Sequence, residues 1–130
     1  MLNDLARLTD RFSKLRIVIN HLPFDSSKDT GALRELGGRP SVYAKVSGVL
    51  RRINGRVPTE LSFYRDALDE LWDVFGVDRV VYGSNWPVSD KVAPYASVLE
   101  IVTEYFRRKG ESALEKFLWK NSLAAYRWAR

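Results

Sequence analysis

The chain has 130 residues, 45% of them hydrophobic and 28% charged, ordinary proportions for one globular domain with a substantial core. It contains no cysteine, which excludes a disulfide framework, a thiol nucleophile and a thiolate metal site. The formal net charge of +5 suits an anionic partner in principle, but the basic residues are spread along the chain. Their densest groups, Arg51, Arg52 and Arg56 and then Arg107, Arg108 and Lys109, read as solvated helix ends and loops.

Leu2, Leu5, Leu8, Phe12 and Leu15 recur at spacings of three and four, which predicts an amphipathic helix over about residues 2–13 with Asn3 as its amino-terminal cap. Residues 15–22 read as a fully buried strand, because the apolar run is too short for a helix, and Pro23 ends it. Residues 24–29 form a loop on the carboxyl side of that strand. Thr30 caps a short helix running to Leu36, which Gly37 and Gly38 stop. A second strand follows over about residues 41–49, with Lys45 and Ser47 on one face because strand side chains alternate.

Residues 51–57 form a polar loop turning at Asn54-Gly55. Pro58 and Thr59 open a helix whose stripe is Leu61, Tyr64, Leu68, Leu71 and Phe75, closed by Gly76. A third strand spans residues 79–83. Tyr95, Val98, Leu99, Val102 and Phe106 mark another helix, ended by Gly110. Ser112-Ala113-Leu114-Glu115 has the pattern of a capping box opening a further helix. A terminal helix carries Leu123, Tyr126 and Trp128 after a kink near Asn121. The order α-β-α-β-α-β-α-α, without linker or repeat, builds a parallel sheet with crossover helices.

The third strand leads into the most informative stretch, Val80-Val81-Tyr82-Gly83-Ser84-Asn85-Trp86-Pro87-Val88. Val80, Val81 and Tyr82 suit a buried strand, and Pro87 forbids its continuation. Ser84, Asn85 and Trp86 therefore stand at the carboxyl end of a strand, where α/β folds place their chemistry. This stretch resembles the last barrel strand of the amidohydrolase-related family, the lactonase-like TIM barrels. Arg16-Ile17-Val18-Ile19-Asn20-His21-Leu22 and Val42-Tyr43-Ala44-Lys45-Val46-Ser47-Gly48 match the same family in the same order. Phe75-Gly76-Val77-Asp78-Arg79, leading into the final strand, is also typical of it. The resemblance covers nearly the whole chain but only the carboxyl-terminal half of the family's domain.

The fold that this resemblance implies is α/β, a partial TIM barrel with about three parallel strands and surrounding helices. Such a half-barrel leaves two open sheet edges and a bare interior face, so self-association into a dimer or larger homo-oligomer is expected. By the same resemblance His21, the sole histidine, faces the active site as a ligand or as a group polarising substrate. The family often has Asp before this histidine, where Asn20 stands. Asn85 occupies a place where the superfamily usually has a water-activating Asp; an amide cannot act as a general base near neutral pH but can orient water or bind a carbonyl oxygen.

Lys45 either points into a polar barrel mouth or snorkels outward, with Asp25, Asp90 or the absent half as its counter-charge. Ser84 and Ser47 both follow strands, and His21 could serve either as base, although neither serine lies in a Gly-x-Ser-x-Gly elbow. Trp86 reads as a pocket wall. A divalent metal such as zinc is a cofactor by resemblance only. One histidine falls short of the three protein ligands of a catalytic zinc, and Asp25, Asp90 or a second copy's histidine would have to supply the rest.

Three functions follow. The first is hydrolysis of small esters or lactones, with His21, Asn85 and Ser84 in the chemistry and Lys45, Ser47 and Trp86 binding a small-molecule substrate. The second is an inactive half-barrel that folds by oligomerising. A third, nucleic-acid binding, is disfavoured because no RNA-binding signature or zinc-finger spacing accompanies the basic groups. No apolar run approaches the ~20 residues of a membrane helix, and the first ten residues lack the order of a signal peptide, so a cytoplasmic protein without a membrane partner is expected.

Overall fold

The structure, a computed structural model, describes residues 2–22 and 30–127, without the side chain of Asn3. Pro23, the loop over residues 24–29 with Asp25, and Trp128 lie outside the described residues.

Three parallel strands form one sheet in the order β1-β2-β3: β1 (Ile17–Leu22), β2 (Val42–Val46) and β3 (Val80–Tyr82). The central strand β2 is buried along almost its whole length, as its apolar sequence predicts. The edge strand β1 is not fully buried as expected: Asn20 and His21 are exposed, because among the described residues β1 has a neighbouring strand on one side only.

Helices cover one face of the sheet. α1 (Leu2–Arg11) precedes β1, and α2 (Thr30–Gly37) follows it. α1 ends at Arg11, and Leu8, Phe12 and Leu15 of the expected stripe are exposed. Arg39 ties the two helices together, donating to the Ala6 carbonyl at 3.0 Å and pairing with Asp10 and Glu35.

The helix expected from Pro58 begins later. Leu61–Phe63 forms a single 3-10 turn, and α3 (Arg65–Phe75) starts after Tyr64. Glu60 keeps an extended backbone, and the Tyr64 hydroxyl donates to the Pro58 carbonyl at 2.8 Å, which holds residues 58–60 out of the helix. The predicted apolar stripe is nevertheless buried throughout. The Asn54-Gly55 turn also forms, with both residues at positive φ between the bridged Ile53 and Arg56.

α4 (Tyr95–Arg108) runs into α5 (Glu111–Glu115), a π-helical turn (Lys116–Lys120) and α6 (Asn121–Tyr126). α5 is capped by Gly110 and starts one residue before Ser112, without a capping-box hydrogen bond. In place of a kink at Asn121, the irregularity is the π turn just before it. That turn carries Phe117 onto Phe106 as a stacked pair at 3.7 Å.

α6 reaches the opposite face of the sheet, where a bare interior was expected. Ala125 packs there with Val18, Tyr43 and Val81. Asn121 fastens this helix to the start of β3, its amide donating to the carbonyls of Val77 and Val80 at 2.8 Å each. Among the described residues, no helix is long and apolar enough to cross a membrane.

Candidate functional site

The site is built by a break in strand register. Ile17, Val18 and Ile19 pair in step with Val42, Tyr43 and Ala44, but Leu22 pairs with Val46. Two residues of β1, Asn20 and His21, therefore stand opposite the single residue Lys45, a β-bulge. In an unbroken strand His21 would point with Ile17 and Ile19 into the helical layer. The bulge gives that inward place to Leu22 and leaves both polar residues at the mouth of the sheet. His21 adopts φ 61°, a left-handed conformation uncommon for a residue with a Cβ. The Ser47 hydroxyl lies 3.1 Å from His21 Nδ1.

Around this pair a cavity of about 290 Å³ is lined by Asn20, His21, Lys45, Ser47, Gly83, Ser84 and Asn85. Five of the six residues expected at the site thus converge on it. Lys45 takes the first of its two expected orientations, toward the barrel mouth, and its ammonium lies 5.4 Å from the centre of the Tyr126 ring. Gly83 makes room for its stem, since a Cβ there would stand 2.8 Å from Lys45 Cδ and 3.1 Å from Ser47 Cβ. Asn85 also adopts a left-handed conformation, φ 55°. Its amide nitrogen would lie 3.4 Å from a Cβ at residue 48, where Gly48 has φ 64°.

Trp86, the sixth residue, stands apart. It is 61% exposed and lines a neighbouring open cleft of about 400 Å³ with Ser84 and Tyr95. Its indole N–H donates to Asp90 at 2.9 Å, and its backbone N–H donates to the Ser84 hydroxyl at 3.2 Å. Asp90, an expected counter-charge for Lys45, thus holds the indole. Asn20, Gly48, Gly83 and Tyr126 were not expected as parts of this site. The signal for the bulge was present in the loss of alternation, Ile19 then Asn20 and His21 before Leu22.

A separate depression of about 180 Å³ on the helical side is lined by Leu61, Arg65, Asp69, Tyr105, Arg108 and Lys109. Asp69 accepts from the Tyr105 hydroxyl at 2.6 Å and from Lys109 at 2.9 Å. Those two bonds, Tyr105 first, hold the Asp69 carboxyl below the usual carboxylate range. These groups join α3 to α4. Arg107 and Arg108, in the second basic group, face Glu111 and Glu104.

The profile of a protein family described as amidohydrolase matches residues 1–128. The chain belongs to that family. It is 32% identical over 96 residues to an L-fucono-1,5-lactonase of Burkholderia multivorans, a match covering 72% of this chain and 32% of that protein. A crystal structure of an amidohydrolase from Burkholderia multivorans with bound zinc superimposes with a TM-score of 0.81 at 24% identity, over 98% of this chain and 49% of that one. Amidohydrolase 2 from Bifidobacterium longum subsp. infantis superimposes with a TM-score of 0.75 at 26% identity, over 97% of this chain and 46% of that one. The chain thus spans about a third of the length of the curated relatives it matches and about half of the solved structures. Its three strands are the partial TIM barrel expected from the sequence.

Proposed function

We propose that this chain carries a hydrolase site for small esters or lactones at the carboxyl ends of its strands. The observation that supports this reading is the convergence of His21, Lys45 and Asn85 on one cavity, each brought there by a separate strand or strand-end loop. Hydrolysis adds a water oxygen to the carbonyl carbon, breaks the carbon–oxygen bond and returns a proton to the departing alkoxide. Lys45 meets a carboxylate on the substrate, His21 polarises the carbonyl or holds the water, and the Asn85 amide steadies the water or the developing oxyanion. Trp86 and Tyr95 wall the adjoining cleft.

The zinc in the Burkholderia structure raises the question of a metal here. A catalytic zinc takes about three protein ligands, whereas this cavity presents one imidazole, two amides and two hydroxyls beside an ammonium. Among the described residues no three His, Cys, Asp or Glu side chains come together as a ligand set. The residues described do not fit a zinc, and the roles above run through the chain's own groups.

A panel of small lactones and activated esters, offered to the purified chain and to His21→Ala at matched concentration, tests the reading. Loss of about 100-fold or more in the variant, with its fold intact, is expected for a group acting on the reacting carbonyl. Equal rates in the two proteins overturn it. The second reading, a half-barrel without activity that folds by oligomerising, draws support from β1 and β3, each of which has one neighbouring strand among the described residues.

A further inference from the structure

We propose that Ser47 is a positioning residue that holds His21 in the tautomer carrying its proton on Nε2. The catalytic meaning of this arrangement rests on the hydrolase reading, but the tautomer is a property of the free protein.

Ser47 is 3% exposed and follows β2 directly. Its backbone N–H donates to the Leu22 carbonyl at 2.9 Å, which fastens it beside the bulge one residue past His21. Gly83 closes in from β3, whose backbone N–H donates to the Val46 carbonyl at 2.9 Å. Ser47 is therefore fastened to β1 and flanked by Gly83, with its hydroxyl 3.1 Å from His21 Nδ1.

Two arrangements satisfy that distance. The imidazole N–H donates to the serine oxygen, or the serine hydroxyl donates to an Nδ1 lone pair. Among the described residues, Nδ1 is the only hydrogen-bond partner of this hydroxyl. Were Nδ1 the donor, the hydroxyl's own hydrogen would be buried without an acceptor. When the serine donates, its hydrogen is used and only oxygen lone pairs go unfilled, and a buried donor without a partner costs more than an unfilled acceptor. Ser47 therefore donates, Nδ1 accepts, and the neutral ring keeps its proton on Nε2.

The consequence is chemical. A ring protonated at Nε2 presents a donor there, and in this state Nε2 offers no lone pair to a proton or a metal. His21 acts as an electrophile, not as a base. With its hydrogen given to Nδ1, the Ser47 hydroxyl supports the histidine.

Because the chain has one histidine, its imidazole nitrogens stand alone in a long-range proton–nitrogen correlation spectrum. The full chain, labelled with nitrogen-15 and kept above the range where imidazole protonates, should show a pyrrole-type shift at Nε2 and a pyridine-type shift at Nδ1. Ser47→Ala should draw the two shifts together toward the averaged values of free histidine. A wild-type ring protonated on Nδ1, averaged wild-type shifts, or a folded Ser47→Ala with an unchanged spectrum each overturn the proposal. The wild-type spectrum decides by itself if the variant does not fold. The expected tautomer in a chain that hydrolyses no ester or lactone leaves Ser47's role standing and removes the hydrolase reading; turnover with an averaged ring does the reverse.

Discussion

At residues 21 and 85 the backbone adopts φ 61° and 55°, conformations that cost a residue with a Cβ about 1–2 kcal/mol in chain regions free to choose otherwise. Both side chains line the same cavity, so local strain and candidate chemistry coincide. Gly83 is the complementary case, a residue whose missing side chain admits the Lys45 stem. Gly83→Ala should destabilise the fold by about 1–3 kcal/mol, read from urea unfolding, since the new methyl group crowds Lys45 and Ser47 together. An unchanged midpoint would show that both side chains yield freely. Asp69 gives a pH signature on the far side of the molecule. Its carboxyl is held low in the folded chain by Tyr105 and Lys109, so its contribution is present above the ordinary carboxylate range and is lost as pH falls through the lower folded value. The Tm advantage of wild type over Asp69→Asn should therefore be full at neutral pH and shrink below about pH 4. A constant difference across an acid titration would contradict the assignment.

Helices α2 and α3 approach closely at Gly37, where a Cβ would stand 2.8 Å from the Val74 carbonyl oxygen. Gly37→Ala should cost about 1–3 kcal/mol by forcing the two helices apart, despite alanine's better helix propensity. A gain in stability, measured by denaturant titration, would mean that the pair separates without loss. The carboxyl-terminal helix depends on a different device. Asn121 is buried and spends its amide on two carbonyls at the start of β3. Asn121→Ala should lower stability by about 2–3 kcal/mol and loosen α6 from the interior face, which hydrogen exchange of the α6 amides would report. The helix stripes behind these elements are legible from sequence, because a 3.6-residue period is local. The late start of α3 is not, since it turns on the Tyr64 hydroxyl reaching back to Pro58.

Two features of the whole molecule point the same way. The sheet has three strands and two edges, and Leu8, Phe12 and Leu15 of the expected first stripe are exposed. A stripe that is apolar in sequence and exposed in one copy is a surface suited to a second. We propose that the chain self-associates. Light scattering behind size-exclusion chromatography should give a mass of two or more chains, falling with dilution, and a monomer at every concentration would refute this. The interior face is less bare than an isolated half-barrel implies, because α6 already covers Val18, Tyr43 and Val81.

Sequence alone determined the order of elements, the parallel sheet, the family and the strand ends at which the polar residues gather. Those follow from hydrophobic period, turn residues and short motifs, all of which act within a dozen positions. Tertiary structure alone decided what the polar residues do to one another. Ser47 meets His21 across 26 positions, and Gly83 opens the way for Lys45 from a third strand. Both depend on the register of one strand against its neighbour: the bulge at Asn20 and His21 resets β1 against β2, while β2 and β3 stay in step.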